Sequence, residues 1–315
     1  MEKIKLGISS CLLGNPVRYD GGHRLDRFLR DTLGQYVDYI PVCPEAECGM
    51  GIPREAMRLE GNKGAPRLIT RSTRLDKTDM LVRWAKKRVA DLAAEDLCGF
   101  IFKSDSPSSG MERVKVYDDQ GMPAKTGVGI FARIFMERFP LLPVEEEGRL
   151  HDTDLRENFI ERIFTLQRWR DTRSMKTNRG ALLDFHTRHK LLLLSHSTKL
   201  YREMGKLVAE QISPGVQNLF LQYETLLMEA LKLKATPKKN VNVLQHMMGY
   251  FKKQLSAAEK TELLGIIDNY QKGFLPLIVP VTLISHYVRK YDQPYLQNQI
   301  YLNPHPLELQ LRNHV

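Results

Sequence analysis

Short apolar runs that each stop at a polar or cysteine-bearing turn set the frame for the first 145 residues. Lys5-Leu6-Gly7-Ile8-Ser9-Ser10 stops at Cys11, and Val37-Asp38-Tyr39-Ile40-Pro41-Val42 stops at Cys43. Cys98-Gly99-Phe100-Ile101-Phe102 stops at Lys103. Runs of this length bounded by turn residues read as strands, and the third, apolar throughout, as a buried parallel strand. Stretches of helical spacing lie between them, at residues 25–33 and again at 77–97. The second carries Met80, Leu81, Trp84, Ala85, Val89 and Leu92 on one stripe. Strands alternating with helices predict an α/β domain built on an open, mostly parallel sheet. Residues 139–148 read as a final strand running into an acidic turn, Glu145-Glu146-Glu147, and the domain boundary is placed there.

Beyond it the pattern changes to helices almost throughout: 155–170, 181–212, 217–233, 241–254, 257–272 and 276–289. Gly180, Pro214, Pro237, Gly273 and Pro276 punctuate them. The expected organisation is an α/β domain over residues 1–148 followed by an all-α helical bundle over 149–315. The net charge of +10 is uneven. Residues 1–150 hold 24 Lys and Arg against 22 Asp and Glu, whereas 151–315 hold 23 against 15. An excess in one half fits a polyanionic partner for that half, or only a solvated basic surface. No apolar run approaches the ~18 residues of a membrane span. The N-terminus enters a strand without a secretory h-region. A cytoplasmic protein with reduced thiols is therefore expected.

In an open parallel sheet, ligands bind outside the C-terminal ends of the strands. Three loops should converge there: Cys11, the stretch Cys43-Pro44-Glu45-Ala46-Glu47-Cys48, and Ser106-Pro107-Ser108-Ser109-Gly110. Thiols suit a soft metal, and a carboxylate beside them suits acid/base work. Two readings stay open. Three loop thiols could hold an iron–sulfur cluster with one iron free, or all four cysteines could be small buried hydrophobes. Glu47 reads as solvent-facing or paired with Arg54. The serine-rich loop is an anion nest or an ordinary turn. In the helical half His189 and His196, seven apart, allow a metal site or simple packing. Arg188, Lys190, Lys199, Arg202 and Lys206, with Tyr201 and Tyr250 near, allow a phosphate-contacting face or a solvated one.

At these residues the sequence resembles a known family. Ser10-Cys11-Leu12-Leu13-Gly14, Arg18-Tyr19-Asp20-Gly21-Gly22-His23, Cys43-Pro44-Glu45 and Ser106-Pro107-Ser108 with Gly110 are similar to the motifs of thiouracil desulfidases (TudS). Asp184-Phe185-His186 and Gly249-Tyr250-Phe251-Lys252 resemble the YbgA-like helical domain. The fusion is similar to bacterial tRNA 4-thiouridine desulfidases (RudS). The resemblance implies a 4Fe–4S cluster held by three cysteines, Glu45 and Ser106 as catalytic groups, and thiolated tRNA as substrate. It implies Arg18, Asp20, Lys103, Ser108 and Ser109 as substrate-binding positions. The family's third-loop cysteine is Ser109 here, so the expected ligands are Cys11, Cys43 and Cys48, with Cys98 a weaker candidate. A desulfidase of free thiolated bases or nucleosides, and a non-catalytic iron–sulfur or nucleic-acid-binding protein, are the alternatives. A homo-oligomer is possible on either reading.

Overall fold

The computed structural model describes residues 3–209 and 215–314. The chain forms two compact units, Met1–Asp152 and Thr153–Val315. In the first, the strands are β1 (Ile4–Ser9), β2 (Val37–Val42), β3 (Met57–Glu60), β4 (Arg67–Thr70), β5 (Gly99–Phe102), β6 (Val114–Tyr117), β7 (Pro123–Gly127) and β8 (Val144–Glu146). The helices are α1 (Pro44–Glu47), α2 (Thr78–Leu92) and α3 (Ile130–Arg138).

One sheet runs in the order β2-β1-β5-β8, with all three of its pairings parallel. The chain leaves β1 toward β2 and later re-enters on the other side at β5, so the order reverses between β1 and β5. That reversal is where the ends of a parallel sheet open into a crevice. α2 and α3 cover one face, burying Ala85, Val89, Leu92, Phe131 and Phe135 against Phe100 and Phe102. Phe100 and Phe135 approach to 4.7 Å between ring centroids. Gly7 is required by this packing, since a Cβ there would meet the Phe100 ring at 2.2 Å.

Three expectations are corrected. A second sheet, in the order β4-β3-β6-β7, lies where no strand was foreseen, because its strands are short and of mixed composition. Residues 25–33 form no α-helix but a π-helical turn at Phe28–Thr32 leading into a 3-10 turn at Leu33–Gln35. The acidic turn is instead largely strand: Glu145, Glu146 and Glu147 are all buried. Each has partners that offset its desolvation. Arg149 Nε donates to Glu145 at 2.5 Å, the Met111 amide to Glu146 at 2.6 Å, and the Ser104 amide to Glu147 at 2.8 Å.

The second unit is helical. Its long helices are α4 (Thr153–Met175), α5 (Arg179–His196), α6 (Thr198–Ala209), α7 (Val216–Lys232), α8 (Pro237–Tyr250), α9 (Ala257–Gln271) and α10 (Ile278–Lys290). The expected helix 181–212 is broken at Ser197, which is extended and whose hydroxyl accepts from the Leu200 amide at 3.2 Å. Residues 210–212 and Pro214 lie outside the described residues. α5 is central, packing on α4, α6, α7 and α8, which is why it is buried over most of its last two turns. Trp169 anchors the core, stacked on Phe220 and Tyr223 and edge-on to Phe185.

Candidate active site

The C-terminal ends of β1, β2 and β5 meet around a cavity of about 480 Å³. β1 ends at Ser9, whose hydroxyl accepts the Lys103 amide at 2.9 Å and so ties it to the end of β5. The next turn presents Cys11. β2 ends at Cys43, which caps α1 with Pro44 in its first turn. There the Glu47 carboxylate reaches back to accept the Cys43 amide at 2.7 Å. This satisfies a donor that the helix start would otherwise leave open. Glu47 pairs with Arg88 at 3.3 Å rather than with Arg54.

Arg54 instead faces Glu45 at 3.6 Å, and its side chain is only 8% exposed. Glu45 lies 3.7 Å from the Cys43 thiol and accepts a hydrogen bond from Ser108 Oγ at 2.6 Å. Ser108 Oγ is in turn 3.1 Å from Ser106 Oγ. Glu45 and Ser106, both in the cavity wall, are thus joined through Ser108. Ser108 is fully buried and absent from the cavity wall, and its hydroxyl bridges Glu45 and Ser106. The loop bearing these serines is held by its own turn, with the Gly110 amide donating to Ser106 O at 2.8 Å. It is also held by Gly129, where a Cβ would strike Ser108 C and O at 2.5 Å.

Of the expected substrate-binding residues, Arg18, Lys103 and Ser109 line the cavity. Asp20 does not: it is exposed and closes a turn by accepting the Gly22 amide at 3.0 Å. Lys103 bonds Glu147 and, at 3.0 Å, Ser104 Oγ. Arg24, Arg58 and Arg71, which sequence reasoning did not single out, complete a basic lining. Arg58 lies over the Tyr117 ring at 4.4 Å. No sequence signal selects them: Arg24 lies in a loop, and Arg58 lies in, and Arg71 just after, strands of the sheet that was not foreseen.

Cys11 and Cys43 line the cavity, whereas Cys48 does not. The Cys48 thiol donates to Glu45 O at 3.4 Å, and the side chain packs with Met50 and Met57 on the Leu59–Leu81 cluster. Of the expected set Cys11, Cys43 and Cys48, the cavity brings together the first two, and the short helix α1 turns Cys48 toward the second sheet. Cys98 precedes β5 and sits at its opposite end, about 16 Å from Lys103 at strand rise. Burial pushes the Cys43 thiol up to about 12, with the Glu45 charge adding to it. Burial likewise raises Cys11, offset in part by Lys103 and Arg18. Thiols held protonated are poor free nucleophiles and become thiolates on binding a metal.

The donor chemistry of the cavity fits an iron–sulfur group through its two thiols. Two thiols and the Ser109 hydroxyl share the cavity, and the buried Nε groups of Arg18 and Arg54 lack hydrogen-bond partners in its wall. Cationic donors there suit the negative charge of a thiolate-bound cluster. In the helical unit the two histidines do not form a metal site. His189 accepts from Arg168 Nε at 3.2 Å, and His196 contacts Leu233 O at 2.6 Å and Glu161 at 3.2 Å.

These features define a two-domain chain, an α/β unit with a thiol-bearing crevice and a helical unit. A family described as 2-thiouracil desulfurase matches residues 6–147, and one described as a protein of unknown function (DUF1722) matches residues 190–306. YbgA of Escherichia coli K12 is 35% identical over 153 residues, covering 48% of this chain and 90% of that protein. YbbK of Bacillus subtilis 168 is 29% identical over 109 residues, covering 33% and 71%. A solved structure of the 4Fe–4S-dependent thiouracil desulfidase TudS aligns with a TM-score of 0.40 at 28% identity, over 48% of this chain and 95% of that one. The chain belongs to the YbgA family and joins a TudS-like domain to the YbgA-like one.

Proposed function

We propose that the chain is an iron–sulfur-dependent desulfidase that replaces the thiocarbonyl sulfur of a thiolated uracil base with oxygen from water, and that its substrate is 4-thiouridine in tRNA. The observation that carries this reading is the hydrogen-bonded run Glu45–Ser108–Ser106 set beside Cys11 and Cys43 in one cavity. The match of residues 6–147 to the desulfurase family supports it. A 4Fe–4S cluster, once bound, would supply an open iron for the soft thiocarbonyl sulfur and make the ring carbon more electrophilic.

Cys11 and Cys43 would hold that group, with Ser109 at the third corner. Glu45 takes the proton of the attacking water, 3.7 Å from a ligand thiol. Ser108 fixes the Glu45 carboxylate by donating to Oε1. Ser106, at the cavity end of this hydrogen-bonded run, contacts the base and orients its ring. Carbon gains oxygen, sulfur departs as sulfide, and the two water protons end on Glu45 and in solvent.

Thiolated tRNA is favoured over a free base by charge. Arg18, Arg24, Arg54, Arg58, Arg71 and Lys103 line the cavity against Glu45, Glu55 and Asp105. A free base offers these cations no phosphate, whereas a polynucleotide does. The helical unit adds an aromatic and cationic surface: Tyr250 stacks on Tyr295 at 5.0 Å, and Lys190 lies over the Tyr295 ring at 4.7 Å. Such pairs suit single-stranded or splayed nucleotides. A tRNA substrate would place the protein in the cytoplasm.

The test is anaerobic reconstitution followed by parallel assays on thiolated tRNA and on free 4-thiouridine and 2-thiouracil. Sulfide release matching loss of tRNA-bound 4-thiouridine is expected, with slower turnover of the free compounds. Failure to bind iron would remove the desulfidase reading, and faster turnover of a free base would remove the tRNA assignment alone.

A further inference from the structure

The helical unit holds a second group of ligating side chains, unrelated to the thiol crevice. Glu157 and Glu161, one turn apart on α4, share a face of that helix. His305 comes from the irregular C-terminal segment. Each of the three offers a ligand atom, and these atoms lie within 4.8 Å of one another. Glu161 is 2% and His305 8% exposed.

Two observations point to a missing occupant. His305 Nε2 is buried and has no hydrogen-bond partner, a costly state for a polar atom unless something fills the space before it. The two carboxylates are also crowded together. Arg312 donates to Oε1 of Glu157 at 3.1 Å and to Oε1 of Glu161 at 2.8 Å, so one guanidinium serves two carboxylates. The second oxygens reach only imidazoles: Glu161 Oε2 is 3.2 Å from His196 Nε2, and Glu157 Oε2 is 3.7 Å from His314 Nε2. A cavity of about 270 Å³, lined by Glu157, Glu161, Asn240, Tyr270, Lys234 and Arg312, leads to them.

We propose that Glu157, Glu161 and His305 bind one divalent first-row transition-metal ion. Two carboxylate oxygens and one imidazole nitrogen suit Zn²⁺ or Mn²⁺ rather than a soft, thiolate-seeking ion. Bonds of about 2.0–2.2 Å are normal for such donors, so the present spacing closes onto an ion by small side-chain rotations. The ion caps the orphaned nitrogen and relieves the crowding of the two carboxylates. It also ties α4 to the C-terminal segment.

The experiment uses the full chain with Cys11, Cys43 and Cys48 changed to Ser, stripped of metal and titrated with Zn²⁺ by calorimetry. One equivalent should bind and raise the melting temperature, and His305→Gln should weaken binding at least tenfold. No uptake, or equal affinity in His305→Gln, overturns the site. Should the triple variant not fold, Mn²⁺ titration of the otherwise unaltered chain followed by electron paramagnetic resonance replaces it, since Mn²⁺ disfavours thiolates. Bound Mn²⁺ lost on Glu157→Gln and on His305→Gln supports the site. Signal retained in both, or none at the outset, overturns it.

Discussion

Glu45 owes its position to a residue that never touches the cavity. Ser108 Oγ bonds it at 2.6 Å from a fully buried site, so Ser108→Ala strips one carboxylate oxygen of its partner. A buried acceptor left open costs about 1–3 kcal/mol. Turnover should therefore fall roughly ten- to a hundredfold while iron content holds, which sulfide release and iron analysis on one preparation would check. Equal loss of iron and activity would instead mark Ser108 as a folding residue. Cys48 and Ser109 give the second residue-level test. The Cys48 thiol faces Glu45 O and the apolar cluster, whereas Ser109 lines the cavity. Cys48→Ser should leave bound iron unchanged, and Ser109→Cys should slow its loss in air. Iron lost in Cys48→Ser would restore the cysteine that the spacing first pointed to. That preference was natural from the sequence, where Cys43 and Cys48 share one loop. What it could not reveal is that α1 sets the two thiols about 140° apart around its axis.

At the scale of elements, the Ser106–Gly110 loop depends on α3. The Gly129 Cα lies so close that a Cβ would meet the Ser108 carbonyl carbon at 2.5 Å. Backbone cannot yield as a side-chain tip can, so Gly129→Ala should cost about 1–3 kcal/mol. It should also move Ser106 and Ser108 off Glu45. A denaturation midpoint lowered together with turnover would agree; an unchanged midpoint would not. α9 offers a simpler case, since Ser256 and Glu259 cap each other's amides at its start, at 3.2 and 2.8 Å. Ser256→Ala should destabilise the helical unit by about 1 kcal/mol without touching the active site. The apolar runs of β1, β2 and β5 and the stripe of α2 were legible because burial demands those periodicities. β3, β4, β6 and β7 were not. Their mixed composition becomes strand only when paired with each other, a decision made by tertiary contact. The same holds for Glu145 and Glu146, charged residues that enter a buried strand because Arg149 and the Met111 amide await them.

Across the whole molecule, charge and protonation set the conditions of work. If the basic cavity grips phosphate, affinity for thiolated tRNA should fall steeply between 50 and 200 mM salt, by about three to five orders of magnitude for six to ten contacts. Turnover of a free base should barely change, and parallel salt titrations would separate the two. Burial, and then Lys190, lowers His186 to about 4, well below the usual imidazole range. Below about pH 6.5 the unfolded chain takes up a proton that the folded chain refuses, so this contribution to stability declines as pH falls toward 4. The slope is at most about 1.4 kcal/mol per pH unit for one such histidine. Denaturation at pH 7, 6 and 5 should show the decline, and His186→Gln should flatten it. A slope that His186→Gln leaves unaltered would assign the acid sensitivity elsewhere. The division into a strand-and-helix half and a helical half is determined by sequence alone, because periodicity records which faces each element must bury. So is the convergence of Cys11, Cys43 and Ser106, since all three follow strands of one parallel sheet. Which thiol turns away, which serine touches the carboxylate and which arginines line the cavity were decided by the tertiary structure. Those outcomes depend on side-chain direction and on contacts between distant segments, such as Ser108 with Glu45 and Glu161 with Arg312, and no local pattern encodes them.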